Sequence, residues 1–206
     1  MSKKSTREEA IELAYASAQK QLCETDPETV AEHSGAEWHK DEGYLEVPFL
    51  NRRYRVSIPD VTIRDDAGED PPLVRKVLIL HYLLQAHGTG LAGRWVDFRS
   101  IPGGVAYYPV FRGRIISRLV RMFGERPQAL IEAAAPLGGR SIEKADVGVE
   151  IPAFPRVPVV FALWEASEEF GPEGTVMFDD SLPTYLETED AIVVCEEIFG
   201  ELKHRV

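Results

Sequence analysis

Long apolar runs are missing from this 206-residue chain. No stretch approaches the roughly 20 residues needed to cross a bilayer, so no membrane association is expected. Cysteine is scarce. Cys23 and Cys195 lie far apart, each within a helical pattern. That excludes a four-cysteine zinc or iron–sulfur site within one chain and fits a reducing cytoplasm better than a disulfide scaffold. The opening residues, MSKKSTREEAIELA, are charged and lack an apolar h-region, so no signal peptide is expected and the expected location is cytoplasmic. Basic residues are outnumbered, 23 Lys and Arg against 34 Asp and Glu, for a net charge of -11. That balance argues against nucleic-acid binding, which relies on basic side chains neutralising phosphates.

Catalytic motifs are missing too. No G-x-S-x-G, Walker A, H-E-x-x-H or C-x-x-C element occurs. Gly88–Gly93 matches G-x-G-x-x-G, but a helical pattern precedes it and Arg94-Trp95-Val96-Asp97-Phe98 follows. A dinucleotide site needs the reverse, a strand before the glycines and a helix opening after them. The five histidines, His33, His39, His81, His87 and His204, lack the spacing of a helix-borne metal pair. No cofactor and no resident metal are expected, and no catalytic residue can be assigned. Internal repeats and low-complexity segments are absent, so residues 1–206 read as one domain, with residues 1–43 peripheral to it.

What is present is a mixed α+β pattern. Thr6 and Glu9 form a capping box ahead of a helix near 6–22, and residues 24–41 read as irregular. Residues 44–50 and 53–58 alternate as a hairpin, with Pro48 suggesting an edge or a bulge. Asp70 is the expected cap of a buried helix near 73–86, on which His81 falls among apolar neighbours, as a core residue or an optional base. Further helices are expected near 110–124, 126–135 and 188–203, the last capped by Thr188. Val157–Trp164 is apolar on both faces, which marks a central strand near 157–164 in a mixed, mostly antiparallel sheet.

Charge is segregated along the chain. Residues 94–140 carry eight arginines and three acids, and residues 141–206 carry four basic and fifteen acidic groups. In Arg94–Arg114, Trp95, Tyr107 and Tyr108 interleave with Arg99 and Arg112, a pattern suited to a wall for an anion or a ring, or to a core edge with snorkelling arginines. On a helical wheel Arg112 points into the apolar arc of Phe111, Ile115 and Leu119, so a carboxylate or an anionic ligand should meet it. Glu165, Glu168 and Glu169 follow one strand, and Asp179 and Asp180 end the next. Their convergence would invite Mg²⁺ or Ca²⁺, a raised pKa or an arginine clamp.

LILHYLLQAHGTGLAGRWVDFRSIPGGVAYYPVFRGR, the Phe123-Gly124 pair, FPRVPVVFALWEASEEF and MFDDSLPTYLETED together resemble a prokaryotic family known as domain of unknown function 3786. The similarity runs from about Val77 to Leu202. It implies a cytoplasmic protein from anaerobic metabolism, since some members carry an added cysteine-rich segment resembling the iron–sulfur part of corrinoid proteins. This chain has no such segment, and the family supplies no catalytic residues to carry over.

Two readings of function follow. One is a non-enzymatic binding or accessory module that holds a small anionic ligand or a partner protein through Trp95, Arg99, Tyr107, Tyr108 and Arg112, rimmed by Glu165–Asp180. The other is a metal-assisted hydrolase or transferase built on Glu165, Glu169, Asp179 and Asp180, with His81 as base. A structural or assembly role is the third. Oligomeric state is not encoded in any motif.

Overall fold

The computed structural model describes residues 6–203, so His204 lies outside the described residues. The fold is α+β, with every strand pairing antiparallel. The strands form two sheets where the apolar pattern suggested one. Among the described residues, no helix is long and apolar enough to cross a membrane. The chain divides into two compact units, Met1–Thr89 with Thr184–Leu186, and Gly90–Pro183 with Glu187–Val206.

In the first unit, α1 (Thr6–Cys23) buries Ala18 and Leu22. Residues 24–41, expected to be irregular, instead form α2 (Pro27–Ser34) and β1 (Glu37–His39). The reason is local. Asp26 accepts the Thr29 amide as N-cap, Pro27 opens the helix, and Gly35 closes it in the left-handed region at φ 75°. Next come β2 (Tyr44–Phe49), β3 (Arg52–Ser57), β4 (Ile63–Asp65) and α3 (Leu73–Gln85). The strands lie in the order β1-β2-β3-β4. Leu45, Val47, Phe49, Tyr54, Val56 and Ile63 form the buried face of this sheet. β1 begins opposite Glu46 and runs away from Pro48, so β2 has a neighbour on one side only at Pro48, where a missing N–H is tolerated. Asp70 does not cap α3. Pro72 is the N-cap, and the Asp70 carboxylate holds Lys76 at 2.8 Å and Arg64 at 3.1 Å.

The second unit is built on the strand the apolar pattern singled out. Its sheet runs β5 (Trp95–Asp97), β9 (Glu173–Asp179), β8 (Val157–Trp164), β7 (Val147–Phe154) and β6 (Arg140–Ser141). β8 is central, and every residue from Val157 to Leu163 is buried. Phe161 meets Phe199 of the last helix, α7 (Thr188–Lys203), edge to face at 5.3 Å between ring centres. Thr188, expected to cap this helix, is its first residue, and its hydroxyl donates to the Pro102 carbonyl in the turn before Gly104.

Between Gly104 and Phe123 the helix changes pitch. α4 (Gly104–Phe111) passes through a π-helical turn at Arg112–Ile116 into α5 (Ser117–Phe123). The wider turn rotates less per residue, so the buried stripe beyond it falls back into line with Phe111 and leaves Arg112 to one side of it. Phe111, Ile115, Leu119 and Phe123 are buried, whereas Arg112 is exposed and does not enter the apolar arc. A shorter helix, α6 (Gln128–Ala134), follows.

The Pro102-Gly103-Gly104 turn sets the entry to α4. Gly103 has φ 74°, and a Cβ on Gly104 would lie 1.8 Å from the Phe98 carbonyl oxygen. That approach lets Phe98 stack on Phe111 with ring centres 3.9 Å apart and planes at 6°. Gly104→Ala should therefore push the stack open and lower the unfolding free energy by about 1–3 kcal/mol. Urea denaturation measures this, and a change within about 0.5 kcal/mol, ordinary for a surface site, would show that the close approach does not matter.

Candidate functional site

β5 lays Trp95 directly opposite Asp179, so the start of the arginine-aromatic stretch does meet one of the acidic strand ends. The groups found there satisfy one another. The buried Asp179 carboxylate accepts the Ala92 and Gly93 amides, both at 2.8 Å, the Ser181 amide at 3.0 Å and the Ser181 hydroxyl at 2.6 Å. The glycine-rich loop is thus folded around a carboxylate of its own chain. Asp180 pairs with Arg94. Arg99 pairs with Asp97 at 2.9 Å and covers the Tyr108 ring at 5.0 Å, while Asp97 also caps the turn at Ser100. The Tyr107 hydroxyl donates to Glu189 at 2.7 Å, and Arg114 makes two bonds of 2.8 Å to Glu196. Arg112 is exposed, and no ion pair engages it among the described residues.

Glu165 and Glu169 do not join Asp179 and Asp180. β8 and β9 are antiparallel, with Trp164 opposite Glu173 and Val159 opposite Phe178. The end of one strand therefore lies beside the start of the other. Six residues of β9 separate the two acidic groups, about 20 Å at the usual rise per residue. Glu165 is exposed and lines a cleft of about 400 Å³ with Trp164, Phe170, Gly171 and Glu173. His81 lies half-buried on α3 in the first unit, whereas the other residues named with it belong to the second.

The outer face of the first unit's sheet holds a constellation that sequence reasoning missed. Glu37 is opposite Glu46, Glu46 opposite Arg55, and Arg55 opposite Arg64. Two acids and two arginines thus form one row across four strands, each like-charged pair side by side. Such pairs repel when directly opposite. The neighbouring row contains His39 opposite Tyr44, their rings stacked at 4.4 Å and 17°. Arg55 covers the same tyrosine ring at 5.1 Å. A cavity of about 460 Å³ opens here, lined by Tyr44, Arg55, Ser57, Arg64 and the turn from Asp65 to Gly68. The Asp65 carboxylate is engaged by Arg52 at 3.1 Å and by the Ala67 and Glu69 amides at 3.1 and 2.8 Å. The signal was present in the alternation of Glu37-x-His39, Tyr44-x-Glu46 and Arg53-x-Arg55, but strand pairing had to be known before the three could be aligned.

Residues 26–201 match the family described as Domain of unknown function (DUF3786). The chain belongs to this family. No curated protein and no solved structure matches it. The family match spans both the charged row and the Asp179-centred loop, so both stand on the shared part of the chain.

Asp179 supplies a test of the loop. Burial works to raise its pKa, but the Ser181 hydroxyl and the amides of Ser181, Ala92 and Gly93 together hold it below the ordinary carboxylate value. A lowered pKa contributes stability above the unfolded-chain value of about 3.9, and that contribution is lost as the pH falls through the folded value. Asp179→Asn should lower the unfolding free energy at pH 7 by roughly 1–3 kcal/mol, because an amide group then faces buried donors. It should also flatten the loss of stability below about pH 4. Unfolding curves that overlay those of the wild type from neutral to acid pH would refute this role for the carboxylate.

Proposed function

We propose that this protein is a non-enzymatic binding module that holds a small anionic ligand, or the anionic group of a partner, between Arg55 and Arg64 on the outer face of the first sheet. The observation that carries the reading is the pairing of these arginines directly across β3 and β4, at the edge of an open cavity of about 460 Å³. An anion between them would relieve their mutual repulsion. Each guanidinium has five N–H donors. Arg64 contacts Asp70 at 3.1 Å, and Arg55 lies 3.9 Å from Glu46, so both retain donors for a ligand. Tyr44, Ser57 and the turn from Asp65 to Gly68 complete the lining, and the Asp65 carboxylate there is already engaged by Arg52 and two backbone amides. The volume suits a small molecule.

Arg94, Arg99 and Arg114 support this reading less well, because each has an acidic partner, as Arg64 has in Asp70, but none of them lines this cavity or stands opposite a second arginine in the strand register. The metal-assisted hydrolase reading loses its carboxylate cluster to the antiparallel pairing of β8 and β9. Family resemblance extends the binding reading toward anaerobic, iron–sulfur or corrinoid metabolism as an accessory role. Cys195 is fully buried, which pushes its thiol well above its ordinary pKa, and with Cys23 it makes too few thiols for a cluster.

Calorimetric titration with inorganic phosphate and with a short dicarboxylate tests the proposal. Arg55→Ala and Arg64→Ala should each weaken binding roughly tenfold or more, since a charge-assisted hydrogen bond contributes about 1.5–3 kcal/mol. Neither should lower stability by more than about 1 kcal/mol, because relief of the arginine–arginine repulsion offsets the loss of the exposed Arg64–Asp70 pair or of the Arg55–Tyr44 contact. Wild-type affinity in both variants, or loss of binding in Arg99→Ala instead, would move the ligand away from this face.

A further inference from the structure

We propose that Glu37, His39 and Glu46 form a site for one divalent cation of the zinc, cobalt or nickel class, at the acidic end of the same row. The ligand atoms of the three side chains lie within 4.8 Å of one another. A first-row metal with bonds of about 2.0–2.2 Å to nitrogen and oxygen fits among atoms so placed with small side-chain adjustment.

The second observation is the state of the histidine. His39 Nε2 is buried and has no hydrogen-bond partner. Buried polar atoms are almost always paired, and an orphan calls for a physical explanation. A protonated ring bonded to Glu37 does not supply one, because the nearest Glu37 oxygen is 3.8 Å away, beyond hydrogen-bond range. The imidazole is held in place by its stack on Tyr44. The orphan nitrogen lies where two carboxylates converge, and a cation there would satisfy all three.

Strand register explains why they converge. Glu37 and His39 are two apart on β1 and share a face, and Glu46 lies directly opposite Glu37 on β2. Two glutamates side by side repel without a cation between them. Glu46 is 12% exposed and receives Arg53 at 2.5 Å, with Arg55 3.9 Å away. A carboxylate has about four lone-pair sites, so Glu46 can accept an arginine and a metal together. Such a supporting contact orients ligating carboxylates in known metal sites. Two carboxylates alone would suit calcium or magnesium; the imidazole shifts the preference toward zinc, cobalt and nickel. Three protein ligands leave the remaining coordination positions to water.

This inference does not rest on the anion site, and its readouts are separate. The full chain, stripped with a chelator, is titrated with Zn²⁺ by calorimetry and with Co²⁺ by absorption. One equivalent should bind, and the cobalt spectrum should show ligand-field bands without the thiolate charge transfer that Cys23 would produce. His39→Ala should abolish the site. Glu37→Gln, at a side chain 68% exposed and so safe for folding, should weaken it by roughly tenfold or more, the least expected when a metal site is disturbed. Phosphate binding failing while zinc binding persists would sink the anion reading alone. Absence of zinc binding, equal binding in both variants, a thiolate band, or preference for Mg²⁺ or Ca²⁺ over Zn²⁺ would each overturn the metal site.

Discussion

Strand register decides which charges meet in this molecule. Side chains alternate along a strand, and directly opposed residues share a face, so pairing converts sequence spacing into a surface pattern with no further freedom. In the first sheet, register lines up Glu37, Glu46, Arg55 and Arg64, which span 28 positions in the sequence, into one row. In the second, register sends Glu165 and Asp179, which are closer in sequence, to opposite ends of a hairpin. A slip of one residue in β2 would exchange Leu45 and Val47 for Glu46 on the buried side. The apolar core therefore fixes the polar face.

The fold was legible where local pattern and tertiary environment agree. Val157–Leu163 announced a strand buried on both sides, and it is the middle of a five-stranded sheet. The hairpin at 44–57 and the helix at 73–85 followed from alternation and from an apolar circumference. Disagreement arose where a local signal was overlooked or a regular period was assumed. Asp26 and Gly35 were adequate start and stop signals for α2, hidden in a polar stretch. Arg112 was misplaced because a wheel of 3.6 residues per turn does not survive a π-helical turn.

The candidate sites were less legible, for a reason that lies in pairing. Arg99, Tyr107 and Tyr108 are close in sequence and drew attention for their composition. In the structure each is engaged by another side chain of the same unit, Asp97, Glu189 and the Arg99 guanidinium respectively. The row in the first sheet has no compositional signature, since Glu-Trp-His and Tyr-Leu-Glu are unremarkable tripeptides. Its members become a constellation when β1 is known to exist and to pair with β2. That strand follows the helix that the polar composition concealed.

The contrast between the two arginine-bearing regions is an argument about the order of charges. Arg94, Arg99 and Arg114 each face a carboxylate, so their electrostatic demand is met within the fold. Such exposed pairs contribute little to stability, about 0–1 kcal/mol each, but they leave a ligand little to gain. Across the first sheet the same kinds of side chain are ordered so that like faces like, at Glu37 with Glu46 and at Arg55 with Arg64. Exchanging one glutamate for one arginine would have made every neighbour in the row favourable, and at no loss of burial, because three of the four are largely exposed. The row therefore carries acidic side chains at one end and basic side chains at the other. Part of this charge is met inside the chain, by Arg53 at Glu46 and by Asp70 at Arg64, and the proposed cation and anion would meet the remainder.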